Sequence, residues 1–330
     1  MPMSRIIQNI GVMTSGGDAP GMNPAIRAVV RAAVYYNKDV FGIYRGYEGL
    51  IEGDMERFSA RRVSNIINRG GTILKTARSE EFRTIEGRKK AYENLKKNNI
   101  DALVVIGGDG SFRGMKDFAE EFDFPVIGIP ATIDNDISGT DYTIGFDTAA
   151  NTAMEAIDKI RDTASSHNRL FFIEVMGRDA GFLAAYSGIA GGAEDILIPE
   201  KDRGVDSLLQ ALKRSKRSGK TSSIVVVTEG KEAGKNVLEL ARYVERNLKD
   251  YEARVVIIGH IQRGGSPSVF DRVLGSRMGV MAVEALLDGK YNVVTGFRNN
   301  NVIVYPLEEA ITEQKGVSKE LIRIIPILTT

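Results

Sequence analysis

Asp134 and Asp136 lie at the end of the segment VIGIPATIDND, positions 126–136, where an apolar run stops at a proline and two carboxylates follow. A carboxylate just beyond a buried strand can accept the proton of a hydroxyl group. A second one beside it can serve a metal or position the acceptor, and phosphoryl transfer to an alcohol asks little more covalent help of a protein. If the strand geometry continues, the two side chains fall on one side, about 6–7 Å apart. Asp134 is then the expected base. Asp134-Asn135-Asp136 is equally good turn chemistry, so an Asx turn is the competing reading.

Two glycine-rich segments, TSGGD at 14–18 and GGDGS at 107–111, have the composition of phosphate cradles. Glycine lets backbone N–H groups approach phosphate oxygens, and the start of a following helix adds favourable partial charge. Each alone reads equally well as a tight strand-to-helix turn. Asp109 sits inside the second turn, where it would repel a bare pyrophosphate. A magnesium ion reverses that repulsion, since Mg²⁺ is commonly held by one or two carboxylates plus substrate phosphates. The alternative for Asp109 is a helix cap. Two better-known phosphate motifs fail. Gly219-Lys220-Thr221 has Arg214 where a P-loop needs its first glycine, and it precedes a strand instead of following one; GGDGSFRG is one residue too long for a dinucleotide fingerprint.

The elements that must position these residues are legible as short apolar runs ending in turns: NIGVMT, DALVVIGG, FPVIGIPAT, FFIEVMG, SIVVVTEG and RVVIIGH. Each reads as a strand buried on both faces, with amphipathic segments between many of them, which predicts a parallel α/β fold. Ligands of such sheets collect beyond the carboxyl ends of the strands, so the turns should crowd one edge. After the first turn, Asn23 is the expected N-cap and Pro24 the first helical residue, with Ile26, Val29, Val30, Ala33 and Val34 on the buried face.

Composition narrows the function classes. A chain of 330 residues, 43% hydrophobic, accommodates two domains, with a boundary expected near residue 143. A net charge of +1 supplies no global field for nucleic acid or an anionic membrane. The absence of cysteine excludes disulfides, thiolate nucleophiles and Cys-ligated zinc, and two histidines leave little for a His-rich metal site. No run approaches the ~20 apolar residues of a membrane span, and the start lacks a signal-peptide core, so a cytoplasmic location is expected.

With its motifs TSGGDAPGMN, NRGGT, GGDGS, TIDND, EVMGR and GHIQRGGSP in this order, the chain resembles the bacterial-type ATP-dependent 6-phosphofructokinases. The resemblance runs from about Asn9 past GHIQRGGSP and leaves only the last twenty or so residues uninformative. It implies two Rossmann-like three-layer lobes with mainly parallel sheets, the second inserted into the first. The nucleotide-binding lobe is expected at 1–142 and 259–303, the sugar-phosphate lobe at 143–258 and 304–330. It further implies a homotetramer whose substrate and effector sites are shared between subunits.

Carried over residue by residue, the resemblance places Gly17, Arg78, Ser79, Gly108, Asp109, Gly110 and Ser111 at the nucleotide, with Asp109 linked to Mg²⁺. Asp134 matches the general base, flanked by Thr132 and Asp136. Met176, Gly177, Arg178 and Glu229 match contacts to fructose 6-phosphate and the reacting region, with Arg178 also able to stabilise transferring charge. His260 and Arg263 match residues that hold the 6-phosphate, and Arg169 and Arg254 the pair supplied by a neighbouring subunit. Arg27, Arg31, Arg161, Gly192, Glu194 and Lys220 match an effector site for ADP and phosphoenolpyruvate. Ser218 and Ala60 stand where relatives carry cations, which implies weakened control. Gly110 and Ala131 are not the Asp and Lys of pyrophosphate users, so ATP is the expected donor. Singly, each arginine reads as an ordinary surface or ion-pair residue, and His260 as a satisfied interior histidine. Other readings are a nicotinamide-dependent dehydrogenase, a non-catalytic nucleotide sensor, or a diacylglycerol or NAD kinase. The first lacks its fingerprint spacing and the last lacks TIDND and GHIQRGGSP.

Overall fold

The computed structural model describes residues 5–167, 169–201, 204–218, 223–230, 235–249 and 251–329. The chain divides into two units, Met1–Thr132, Ile137–Thr148 and Arg263–Gln314 against Ile133–Asp136, Ala149–Gln262 and Lys315–Thr330.

In chain order the elements are β1 (Asn9–Thr14), α1 (Met22–Tyr35), β2 (Asp39–Ile43), α2 (Gly46–Glu52), β3 (Met55–Phe58), α3 (Ile85–Lys97), β4 (Ala102–Gly107), α4 (Asp109–Phe122), β5 (Val126–Thr132), β6 (Ile144–Gly145) and α5 (Phe146–His167). They continue with β7 (Leu170–Val175), α6 (Phe182–Ala190), β8 (Asp195–Leu197), α7 (Gly204–Arg217), β9 (Ser223–Thr228), α8 (Val237–Asn247), β10 (Ala253–Ile257), α9 (Val269–Leu287), β11 (Val293–Arg298), β12 (Asn301–Pro306), α10 (Leu307–Thr312) and α11 (Lys319–Leu328). Short 3₁₀ turns occupy Glu81–Arg83 and Gly259–Arg263.

The first unit is built on a sheet of order β12-β11-β5-β4-β1-β2-β3, with β6 pairing beside β5. Its strands run parallel except for β3 and β12, which pair antiparallel at the two edges. Every residue of β4 is buried, which is why its sequence is continuously apolar instead of alternating. Leu103 and Val105 join a core with Phe112 and Phe118 of α4 and Leu95 of α3, while Val104 and Ile106, one residue out of phase, face the other side of the sheet. There α1 and α9 pack closely. A Cβ on Gly279 would stand 2.8 Å from the Ala25 carbonyl, so glycine sets the approach of the two backbones.

The second unit has the parallel sheet β10-β7-β9-β8. Phe172, Val225 and Val227 bury one face against Leu208 and Leu212 of α7 and Leu240 and Val244 of α8. All six apolar runs are strands and the parallel α/β expectation holds, but β10 is not buried on both faces: it is an edge strand whose Arg254 and Ile257 are exposed. The helix α11 falls in the C-terminal stretch that the motifs left blank, and it packs on α6 and β8.

Three local expectations are corrected. Asn23 does not cap α1; Gly21 does, at φ 115 with no side-chain hydrogen bond. The Asn23 amide instead donates to the carbonyls of Arg69 and Gly70, and its oxygen accepts from Ile73 N–H at 2.8 Å, shaping the NRGGT turn. Val34 is exposed, at the end of the buried stripe. The crossings between units also differ from those expected. The short segment Ile133–Asp136 already belongs to the second unit, and the chain crosses again after Thr148, because buried Asp271 accepts hydrogen bonds from Gly145 N–H, Thr148 N–H and Thr148 Oγ1 and so ties the first turn of α5 to the first unit. The return falls between Gln262 and Arg263, and the last crossing after Gln314, because β12 pairs with β11 along its length and α10 packs against α4.

Candidate active site

In the first unit, strand register brings three strand ends together. Met13 pairs with Val105 and Val105 with Gly128, so β1, β4 and β5 end at one edge, where TSGGD, GGDGS and TIDND begin. The contact between the first two turns is backbone-close. A Cβ on Gly107 would lie 2.6 Å from the Ser15 carbonyl and 2.7 Å from Ser111 Oγ, and Ser15 N–H donates to the Ile106 carbonyl at 2.9 Å. Gly16, at φ 85, faces Ser111 as well. Gly108 lies beside Thr132, whose Cβ would be 3.6 Å from an added methyl. Around Gly110 nothing stands within 4 Å of such a methyl, so that side of the turn is open.

The helix α4 starts at Asp109 directly after the Gly108 cap, so the N–H groups of its first turn lie in the GGDGS segment. Asp109 is not the cap; it is the first helical residue, and its Oδ2 accepts from Arg113 Nε at 2.9 Å one turn on. Ser79 Oγ accepts from Phe82 N–H and so starts the Glu81–Arg83 turn, while its neighbour Arg78 is exposed. Arg263 lies on the first of these turns. Its guanidinium donates to the Asp18 carbonyl at 3.3 Å and stands 2.6 Å from where a Gly17 Cβ would be.

The extended geometry assumed for TIDND does not continue. Strand β5 ends at Thr132, Ile133 and Asp134 form a turn, and Asn135 takes φ 54, a conformation asparagine tolerates better than most residues. The Asx-turn reading therefore describes the backbone. It is compatible with a chemical role, because Asp134 is held at 9% exposure just beyond the strand end. Asp136 is half-buried, and its carbonyl accepts from Lys315 N–H.

The second unit aligns another three turns. Val175 pairs with Thr228 and Ile257 with Glu174, so β7, β9 and β10 end level, at EVMGR, TEG and GHIQR. The turns are cross-linked: Glu229 N–H donates to the Val175 carbonyl, Ile258 N–H to the Glu174 carbonyl, and Glu229 Oε1 accepts from Gly177 N–H at 3.4 Å. Met176 is buried and Arg178 is exposed at φ 53. Gly177 sits at φ 148, where a Cβ would be 2.4 Å from the Ala180 carbonyl. Burial, and then the Glu229 carboxylate, raise Glu174 above the usual carboxylate range. His260 is exposed, so the interior-histidine reading fails.

One carboxylate that the motifs did not single out, Glu252, joins two predicted residues. It pairs with Arg254 through Oε1 and with Arg169 Nε through Oε2 at 3.3 Å. Only the sheet reveals this, since β10 lies beside β7 and Leu170 N–H bonds to the Glu252 carbonyl. Of the effector candidates, Arg161, Gly192 and Glu194 meet. Arg161 Nη2 donates to the carbonyls of Gly191 and Gly192 at 2.5 and 2.8 Å, and Nη1 lies 3.8 Å from Glu194 Oε1. Arg27 and Arg31 sit one turn apart on α1, and burial, then Arg31, lower the proton affinity of Arg27 below an arginine's ordinary value. Among the described residues neither arginine forms an ion pair. Lys220 lies outside the described residues.

The sequence matches the family model described as Phosphofructokinase over residues 9–286. The chain belongs to the phosphofructokinase family. Among curated relatives, it is 55% identical over 322 residues to ATP-dependent 6-phosphofructokinase 1 of Thermus thermophilus, covering 98% of this chain and 99% of that protein. It is 53% identical over 323 residues to ATP-dependent 6-phosphofructokinase 2 of Bacteroides thetaiotaomicron, with the same coverage. The phosphofructokinase of Saccharomyces cerevisiae superposes with a TM-score of 0.86 at 37% identity over 98% of this chain; the chain spans about half (47%) of the yeast subunit. A pyrophosphate-dependent phosphofructokinase from Marinobacter aquaeolei, 22% identical with a TM-score of 0.83 over 98% of this chain and 92% of that one, shares the fold.

Proposed function

We propose that the protein transfers the terminal phosphoryl group of magnesium-bound ATP to the 1-hydroxyl of D-fructose 6-phosphate, giving fructose 1,6-bisphosphate and ADP, a step of glycolysis. The observation that carries this reading is the gathering of TSGGD, GGDGS and TIDND at one strand edge, in a chain 53–55% identical to proteins named ATP-dependent 6-phosphofructokinase.

The eight-stranded sheet's edge takes the nucleotide. Backbone N–H groups around Gly17 and along Gly108–Ser111 face the phosphates, with Arg78 and Ser79 as neighbouring contacts. Asp109 suits a hard cation, since a single carboxylate beside a phosphate cradle is a common magnesium donor. Among the described residues no group of three or more acidic or histidine side chains is placed to hold a metal. When bound, magnesium supplies neutralisation of the charge spread over the phosphate oxygens.

Asp134 accepts the proton of the sugar's 1-hydroxyl as that oxygen attacks in line, while Thr132 and Asp136 position the acceptor. The four-stranded sheet's edge takes fructose 6-phosphate: Met176, Gly177 and Glu229 contact the sugar, Arg178 faces the transferring charge, and His260 and Arg263 hold the 6-phosphate. Arg169 and Arg254 complete that phosphate site on a neighbouring subunit of a homotetramer. ADP and phosphoenolpyruvate act through Arg27, Arg31, Arg161, Gly192, Glu194 and Lys220. Among the described residues no helix is long and apolar enough to cross a membrane, and the enzyme works in the cytoplasm.

The test is turnover of MgATP and fructose 6-phosphate in an aldolase-coupled assay. Absence of product at high substrate would refute the assignment. Replacing ATP by pyrophosphate should abolish most of the rate, because the open space at Gly110 and the small Ala131 leave room for an α-phosphate and add no cation; equal rates with both donors would refute the choice of ATP.

A further inference from the structure

Gln262 lies within GHIQRGGSP, between His260 and Arg263, and has no accessible surface. Its Oε1 accepts the Met176 N–H at 2.9 Å, a bond buried at both ends. A backbone N–H only donates, so this contact fixes which end of the amide is the oxygen. Its Nε2 is buried with no acceptor among the described residues.

The bond joins two turns at one sheet edge. One is the Gly259–Arg263 turn. The other begins at Met176 and passes through Gly177 at φ 148 and Arg178 at φ 53. Two consecutive residues with positive φ hold their conformation only where surrounding contacts over-determine it. The described contacts are Glu229 Oε1 with Gly177 N–H, Ala180 N–H with the Gly177 carbonyl at 3.0 Å, and Gln262 with Met176 N–H. Glu229 grips the turn from β9, and Gln262 grips it from beyond β10.

We infer that Gln262 is a positioning residue for the sugar-phosphate site: its amide oxygen clips the start of the Met176–Arg178 turn to the turn carrying His260, so that the groups assigned to the sugar and the histidine assigned to its 6-phosphate keep one spacing. The inference rests on the proposed function for what these turns bind. It concerns alignment alone, because a fully buried amide touches no substrate. A bond that aligns groups for one ligand is expressed in the affinity for that ligand, whereas loss of general stability affects both substrates.

The unpaired Nε2 makes the test clean, because replacing the amide sacrifices only the bond to Met176. Gln262→Met keeps the length and removes the acceptor; Gln262→Glu keeps an accepting oxygen. In Gln262→Met the KM for fructose 6-phosphate should rise about 5- to 50-fold, as for a buried donor left unmade, with the KM for MgATP within about twofold. Gln262→Glu should recover most of the loss. Equal rises in both KM values, or an unchanged KM for fructose 6-phosphate, would overturn the inference. Should Gln262→Met fail to fold, Gln262→Asn, one methylene too short to reach Met176, should show the same selective rise, and its absence would overturn the inference too. If the wild-type protein does not phosphorylate fructose 6-phosphate, the functional reading falls separately. The clip is then judged by hydrogen exchange at the Met176 amide, which must quicken in Gln262→Asn at unchanged melting temperature; unchanged exchange overturns it.

Discussion

The two sheets end in turns of opposite construction. After β4 the helix starts at once: Gly107 closes the strand, Gly108 caps, and Asp109 is already helical. What that edge offers is backbone, in the form of N–H groups and glycines too close to their neighbours to carry a Cβ. After β7 six residues intervene before α6 begins at Phe182, and two of them have positive φ. What this edge offers is side chains, among them Glu174, Glu229 and Arg178, with Arg169, Glu252 and Arg254 at the opposite, N-terminal end of the same strands. The same strand-turn-helix unit therefore presents backbone after β4 and charged side chains after β7, and length alone does not set the difference, since seven residues separate β1 from α1 at the TSGGD turn. Backbone cradles suit a ligand whose oxygens are all alike, and side chains suit one whose hydroxyls differ.

The largest test of that contrast lies at TIDND. Asp134→Asn keeps the size and much of the hydrogen bonding of a buried group but removes the base, so kcat should fall about 10²- to 10⁴-fold, while MgATP binding, measured by calorimetry, stays unchanged. Near-full turnover would place the base elsewhere.

Paired glycine substitutions separate the two edges. Gly107→Ala pushes a methyl against the Ser15 carbonyl, and Gly177→Ala one against the Ala180 carbonyl at a φ that L-residues rarely adopt. The cost at each is of the order of 1–3 kcal/mol, or about 5- to 150-fold in affinity. Gly107→Ala should weaken MgATP and spare fructose 6-phosphate, and Gly177→Ala should do the reverse. Loss of both affinities in either variant would show that the edges do not divide the substrates. Gly110→Ala, where a methyl meets nothing within 4 Å, should leave the fold and its melting temperature intact.

Asp271 supplies a stability control remote from the cradle glycines. Burial outweighs its hydrogen bonds from Thr148 and Gly145 and pushes its carboxyl up to about 6 from 3.8. A raised folded-state value means that the folded protein binds the proton more tightly, so this contribution is fully present below the unfolded value and is lost as pH rises through about 6. Relative to Asp271→Asn, the wild type should therefore gain about 2 kcal/mol in denaturant unfolding on going from about pH 7 to about pH 4.5. A constant difference would contradict the raised value.

The smallest expected effect is regulatory. Arg161 already spends its guanidinium on Gly191, Gly192 and Glu194, and Ser218 and Ala60 replace cations, so effector coupling should sit low in the usual range of about 1–3 kcal/mol. Arg161→Ala should reduce activation by ADP and inhibition by phosphoenolpyruvate several-fold in fructose 6-phosphate saturation curves, and Ser218→Lys should partly restore them. Strong control untouched by Arg161→Ala would put the effector site elsewhere.

Apolar runs and glycine turns determined the strands by themselves, since a strand buried on both faces must be continuously apolar and must end where backbone has to turn. The motif order was enough to identify the family and to propose residues for each part of the site. The edge strands β3 and β12, partly exposed and not continuously apolar, carry no such signal. Tertiary structure decided what side chains at those positions do. Asn23, a good cap by type, spends its amide on the NRGGT turn 46 to 50 residues away. Glu252 becomes the common partner of Arg169 and Arg254 only because β10 lies beside β7. Gln262, between His260 and Arg263, holds Met176 across 86 positions. Periodicity and turn chemistry are local and can be read along the chain, but a hydrogen-bond partner is chosen by whatever the fold brings within about 3 Å, and no spacing in the sequence encodes that distance.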